Sequence, residues 1–320
     1  MSTTARPARR LSTASPRPAD RVAPIWLRRM AIASLVANIA IVVTGGAVRL
    51  TGSGLGCPTW PRCTDDSFVA RPELGTHGLI EYGNRLLTFV LVAVAVATLA
   101  VVWRHRPIRP RSRTFALLLF LGIPAQAVLG GITVLTDLNP WIVAGHLMLS
   151  MVLIALSVLL LRAVSGDASP TGAADAAASG LPPAAVSLAW LVYVLVWAVL
   201  YAGTVVTGSG PHAGDADAPR NGLDPAAMSQ LHADLVLLLL GLTVGLVLAL
   251  RALRATAGVL RAAQWLLGVE LAQGLVGAAQ YATELPLVLV GAHLLGAAVL
   301  VAVATWALLS VRELAGRPGT

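Results

Sequence analysis

Eight apolar stretches of roughly 20 residues dominate this chain, near 27–48, 80–103, 115–135, 141–162, 185–206, 229–250, 262–281 and 287–310. A helix of about that length crosses a bilayer core roughly 30 Å thick. Inside lipid no water can satisfy the backbone, so such segments must be helices or closed barrels. Their length and continuity choose helices, and the chain reads as an all-α membrane protein with eight transmembrane helices. Charged residues make up only 12% of the sequence, against about 25% in a soluble domain. The net charge of +8 does not point to nucleic acid, because the arginines lie in short clusters between apolar runs. Arg6, Arg9, Arg10, Arg17, Arg21, Arg28 and Arg29 precede the first stretch. Arg104, Arg106, Arg109, Arg111 and Arg113 lie between the second and third, and Arg251, Arg254 and Arg261 between the sixth and seventh. Such clusters stay on the cytoplasmic side, which predicts that both the N and C termini are cytoplasmic. Residues 1–25 are basic and rich in Pro, Ser and Thr, with no apolar core of a signal peptide, and read as a disordered basic cytoplasmic tail.

The chain repeats itself. Ala125-Gln126 and Gly130 recur as Ala272-Gln273 and Gly277, Thr136-Asp137-Leu138 as Thr283-Glu284-Leu285, and Gly145-His146-Leu147 as Ala292-His293-Leu294, all at one separation. Thr51-Gly52-Ser53-Gly54 after the first stretch returns as Thr207-Gly208-Ser209-Gly210 after the fifth. We read a tandem duplication. An even number of spans per copy gives both copies one orientation, as in parallel-repeat membrane proteins. The expected architecture is two tandem pseudo-symmetric four-helix bundles, at 26–162 and 185–311. A small, polar cytoplasmic linker at 163–184 joins them and a tail at 312–320 follows.

Ionisable residues inside spans are costly and mark function. His146, His232 and His293 each fall within the first residues of a span entered from outside, hence in the outer half of the membrane. His232 and His293, on different helices at one depth, suit axial ligation of a haem iron inside a bundle. A lone histidine would more simply satisfy a local hydrogen bond, but recurrence at matched positions favours the ligand reading in the second copy. In the first copy Asn84 stands where a partner of His146 is expected, with His77 farther out. Glu81 and Arg85 are spaced for an ion pair on one helix face, and a carboxylate at a pocket mouth is also what proton or cation chemistry requires. Arg49 is placed either to meet a haem propionate or to snorkel to the interface. The glycine-rich stretch 45–56 lacks the Lys-Ser/Thr ending of a nucleotide loop. Cys57 and Cys63, in the first outward loop, read as a disulfide in an oxidising compartment. A zinc site is the alternative, short of the remaining ligands.

Together, the segment from Gly45 to Cys63 (GGAVRLTGSGLGCPTWPRC), Glu81-Tyr82-Gly83-Asn84-Arg85 and the three span histidines resemble the haem A synthase family across all eight spans. The resemblance implies an enzyme of the cell membrane that oxidises the methyl group at pyrrole position 8 of haem O to a formyl group, giving haem A for cytochrome oxidase. It implies a resident haem b held by His232 and His293, and substrate haem O in the N-terminal half near Asn84 and His146. Glu81 would be the essential carboxylate, stabilising a cation at the methyl carbon, with Cys57 and Cys63 joined as a disulfide. Both haem sites would lie toward the extracytoplasmic side. Many members carry His where this chain has Asn84, so here the substrate iron is expected to be held by His146 alone or with water opposite.

The expected function is therefore a membrane-bound haem O oxidoreductase that hydroxylates the methyl carbon twice, the geminal diol losing water to give the aldehyde. His232 and His293 supply the redox relay, Glu81 the charge management, and Arg49 and Arg85 contacts to substrate haem. The expected partners are haem O, an electron acceptor that the sequence does not identify, and the enzyme that makes haem O. A two-haem cytochrome b that only transfers electrons is the first rival, and it needs the second histidine pair that Asn84 breaks. A transporter is the second rival, and it needs polar groups at the membrane midplane, whereas the polar residues noted here cluster near one face.

Overall fold

The computed structural model describes residues 25–105, 110–165 and 180–315. The tail expected over 1–25, most of the linker and the last five residues lie almost wholly outside them. Eight long helices make up the fold: α1 (Ile25–Leu50), α2 (Gly75–Arg104), α3 (Pro110–Leu135), α4 (Pro140–Ser165), α5 (Pro183–Ser209), α6 (Pro225–Ala252), α7 (Ala257–Ala282) and α8 (Leu287–Ala315). No strand forms among the described residues, where one isolated bridge joins Thr64 and Ser67.

Most helices overrun the apolar stretches by several residues, because capping and turn chemistry rather than hydropathy ends a helix. Proline opens α3, α4, α5 and α6, where its fixed φ suits the first turn and its missing N–H costs nothing. Asp224 caps α6, its side chain accepting a 2.7 Å hydrogen bond from the Ala227 N–H. The α3–α4 and α7–α8 turns are built alike. Asp137 and Leu138 in one, and Glu284 and Leu285 in the other, all adopt positive φ of 51–61°. The Leu138 N–H reaches back to Thr133 O and the Leu285 N–H to Gln280 O, at 2.8 and 2.7 Å. The sequence repeat is thus matched by a local repeat of backbone shape.

Seven helices are long and apolar enough to cross a membrane. The eighth, α7, has the same length, but Arg261, Gln264, Glu270, Gln273 and Gln280 lower its hydropathy. It nonetheless runs between α6 and α8, packed on both. The chain is an all-α, multi-pass membrane protein. Side chains such as Phe89, Leu275 and Val288 are exposed on its flanks, as expected where lipid is the solvent.

Helix α1 packs on α2 and α4, and α3 on the same two, closing one ring of four. In the same way α5 packs on α6 and α8, and α7 closes the second ring. Contacts of α1 with α8 and of α4 with α5 and α8 join the rings, and one apolar core runs from α4 through α8. Asn38 on α1 sits in this apolar surrounding with its amide donating to Ser34 O at 2.8 Å and to Ser157 Oγ on α4 at 3.4 Å.

Candidate functional site

His232 on α6 and His293 on α8 face each other, with ring centroids 6.5 Å apart and ring planes at 78°. Metal–imidazole bonds of about 2.0–2.1 Å, plus roughly 1.1 Å from each nitrogen to its ring centre, put two axial imidazoles of one metal about 6.3 Å apart. The separation of the pair matches that spacing. Each ring has a buried Nδ1 with no hydrogen-bond partner of good geometry, the His232 ring lying beside the Val199 backbone. On this geometry the two residues fit a haem iron.

Glycine makes room for each ring. A Cβ on Gly203 of α5 would lie 3.2 Å from His232 Cε1, and one on Gly277 of α7 would lie 3.4 Å from His293 Cε1. The N-terminal half repeats the arrangement with different chemistry. A Cβ on Gly130 of α3 would stand 3.1 Å from His146 Cε1, and one on Gly45 of α1 would stand 4.0 Å from Asn84 Nδ2. His146 Nδ1 and Asn84 Oδ1 are both buried and unpartnered. Four inward positions are thus each backed by a glycine of the preceding helix, three filled by histidine and one by asparagine. His77 does not join them: it is exposed, and its Nδ1 is 2.9 Å from Ser53 Oγ in the first loop.

Cys57 and Cys63 are joined as a disulfide, which consumes both thiols and ends the zinc alternative. The loop they close is fastened to α2. Glu81, 6% exposed, accepts a 2.6 Å hydrogen bond from the Cys57 N–H on Oε2. Its Oε1 is paired with Arg85 Nη2 at 2.6 Å. Arg85 also donates to the carbonyls of Cys57, Thr59 and Arg62. The Glu81–Arg85 pair is therefore real, and it doubles as a clamp on the disulfide loop.

Arg49 is held by backbone rather than by an acidic side chain. Its Nε donates to His212 O at 2.6 Å and its Nη2 to Thr207 O at 3.0 Å. The loop after α1 is thereby stitched to the loop after α5, helped by Gly54 N donating to Gly214 O. His212 Nε2 lies 3.0 Å from Leu285 O in the α7–α8 turn. The loops of the two halves at this end of the molecule are thus joined in one layer, a coupling that pairwise reading of the sequence does not reveal.

The sequence marked Gln126 only as part of the repeat and did not single out Glu270. Gln126 Nε2 donates to His146 O at 3.2 Å and to Ser150 Oγ at 2.6 Å, bracing α4 one turn below His146. Glu270 on α7 is 2% exposed and bonded to Thr243 on α6. A lone carboxylate inside an apolar stretch was the signal for it.

Fold and site define a polytopic helical membrane protein with facing imidazoles in one bundle and a clamped carboxylate beside the other. The chain belongs to the cytochrome oxidase assembly protein family, whose model matches residues 28–220. It is similar to the heme A synthase of Geobacillus kaustophilus, 34% identical over 148 residues, or 45% of each chain. The heme A synthase of Geobacillus thermodenitrificans is 33% identical over 144 residues, 44% of each. That of Bacillus pumilus is 28% identical over 145 residues, covering 45% of this chain and 46% of the relative. The match spans a little under half the length of these curated relatives.

Proposed function

We propose that this protein is a haem A synthase, an oxidoreductase that converts the pyrrole-8 methyl group of haem O to a formyl group. The observation that carries this reading is the His232–His293 pair, 6.5 Å between ring centres, beside a second pocket where asparagine replaces one histidine. A bundle that only relays electrons would want both pockets alike. The similarity to heme A synthases supports the same reading, and family membership ties it to assembly of cytochrome oxidase.

In this reading the C-terminal bundle (185–311) holds haem b between His232 and His293, and that group supplies one-electron redox steps when bound. The N-terminal bundle (26–162) would take haem O as substrate, His146 holding its iron while Asn84 supplies no strong ligand. Two two-electron oxidations of the methyl carbon, each installing one hydroxyl, give a geminal diol that loses water to leave the aldehyde. Glu81 is the residue assigned to the reacting carbon. Fixed by Cys57 N–H and Arg85, it presents negative charge where positive charge develops, an arrangement that needs no reorganisation during reaction. Arg85 positions Glu81, and Arg49 holds the two outer loops together over the substrate. The arginine clusters support a topology with both termini in the cytoplasm and both haem sites toward the extracytoplasmic side. This chemistry requires haem O and a separate electron acceptor, and the enzyme that makes haem O is a further partner in this reading.

The test is expression with a source of haem O, followed by chromatography of the extracted haems. Haem A together with haem B is expected. Two equivalents of haem B and no haem A, where a control enzyme makes haem A, would assign the protein to electron transfer instead.

A further inference from the structure

Glu270 lies near the middle of α7, 2% exposed. Its Oε1 accepts a 2.9 Å hydrogen bond from Thr243 Oγ1 on α6, and its Oε2 is buried with no partner. A charge so placed is costly, and a carboxyl inside a membrane helix marks function by default. The helices packed on α7 are α6 and α8. Their ionisable side chains are His232, Asp234 and Arg251, and His293, Arg312 and Glu313; α7 itself adds Arg261 and Tyr281. Asp234 is engaged by Gln230, Glu313 by Arg162, and Arg312 lies over the Trp190 ring. Thr243 is the one side chain hydrogen-bonded to Glu270 among the described residues.

Helical geometry places this pair under the imidazole pocket. Thr243 follows His232 by three turns on the same face of α6, about 16 Å along the axis. Glu270 precedes Gly277, the residue backing His293, by two turns on one face of α7. Both therefore point into the bundle that carries His232 and His293.

Comparison of the halves shows that the ionisable group is particular to the second. Ile123 stands to Glu270 as Gln126 stands to Gln273, and Ala95 stands to Thr243 as Asn84 stands to His232. Ile123 and Ala95 are buried together with Leu91 in one apolar cluster. At this level the N-terminal bundle thus has hydrocarbon at the matching α2 and α3 positions and the neutral pair Asn38–Ser157 between α1 and α4, whereas the C-terminal bundle has an ionisable carboxyl bonded to a hydroxyl.

We propose that Glu270 takes up a proton when the haem between His232 and His293 is reduced by one electron. This rests on the haem site assigned above. The electron goes to the iron and removes one positive charge from the pocket. The proton comes from the aqueous phase and forms an O–H bond on the Glu270 carboxylate, so the bundle gains no net charge. On reoxidation the electron leaves to the acceptor and the proton to water. In a low-dielectric interior the two charges feel each other across this distance, which links the electron to the proton. The Thr243 hydroxyl, donating to the carboxylate, stabilises the ionised form.

The test is an equilibrium redox titration of the low-spin haem in the purified holoprotein across a range of pH. The reduced protein binds the proton more tightly, so the wild-type potential should fall as pH rises between the carboxyl pKa of the oxidised form and the higher one of the reduced form. Glu270→Gln keeps the shape and the bond from Thr243 but cannot ionise, and should flatten that slope. A flat wild-type profile, or the same slope in Glu270→Gln, overturns the proposal. Should Glu270→Gln fail to accumulate, Thr243→Val decides. Losing the donor to the carboxylate should move the sloping window to higher pH, and an unmoved window overturns the proposal. A preparation with no bis-histidine haem spectrum overturns the haem site and this inference together, and is recognised before any titration.

Discussion

The backbone N–H of Cys57 donates a 2.6 Å hydrogen bond to Glu81 Oε2, so the carboxylate on α2 and the disulfide loop beside it move as one body. Arg85 completes the clamp, with one guanidinium shared between Glu81 and three loop carbonyls. The geometry of the proposed reacting carboxylate is therefore set jointly by the loop and by Arg85 on its own helix.

Glu81→Ala should reduce haem A formation about a hundredfold or more, the scale expected when a positioned acid–base group is lost. The bis-histidine haem content should not change, because His232 and His293 sit in the other bundle. Chromatography of extracted haems, alongside the reduced spectrum, reads both quantities from one preparation.

Opening the disulfide should act on the same carboxylate indirectly. A loop this short contributes about 2 kcal/mol by restricting the unfolded chain. A Cys57→Ser, Cys63→Ser double variant should fold, show faster hydrogen exchange over residues 57–63 and make less haem A, while retaining its C-terminal haem. Unchanged exchange at these residues would mean that the Arg85 clamp holds the loop unaided.

Asn84→His restores an imidazole where the N-terminal pocket lacks one. Wild-type protein loaded with haem O should show a high-spin component, and the variant should convert it to a low-spin, bis-imidazole spectrum. A wholly low-spin wild-type spectrum that survives His77→Ala would count against ligation by His146 alone.

Gly203→Ala puts a methyl group 3.2 Å from His232 Cε1, a contact that forces the ring to shift by a few tenths of an ångström. The low-spin haem spectrum should change and haem occupancy should fall. Gly241→Ala on α6 meets nothing within 4 Å and should leave the spectrum unaltered, while relieving the helix of about 1 kcal/mol of glycine penalty. Absorbance ratios of haem to protein distinguish the two.

Much of this was legible in the residues themselves. A run of twenty apolar residues has one stable form in lipid, so the helices and their order followed from hydropathy, and self-comparison exposed Asn84 as the odd member of the set with His146, His232 and His293. Helix ends were less legible, because Asp224 capping α6 and the paired left-handed residues at 137–138 and 284–285 are local backbone chemistry that hydropathy does not register. Helix α7 carries three glutamines and Glu270 along its length, and of these only Glu270 is buried by the neighbouring helices.

The sequence by itself determined which segments are apolar enough for the membrane, which ionisable side chains fall among them, and that the chain repeats, because each of these depends on residue type and spacing. Only the tertiary structure decided what those side chains do to one another. The 6.5 Å gap between His232 and His293 joins residues on different helices, as does the glycine behind each inward side chain. Arg49 reaching across to Thr207 and His212 is set by the same helix packing. Contacts between residues so far apart in the chain are fixed by how whole helices pack, and no local pattern of residues encodes them.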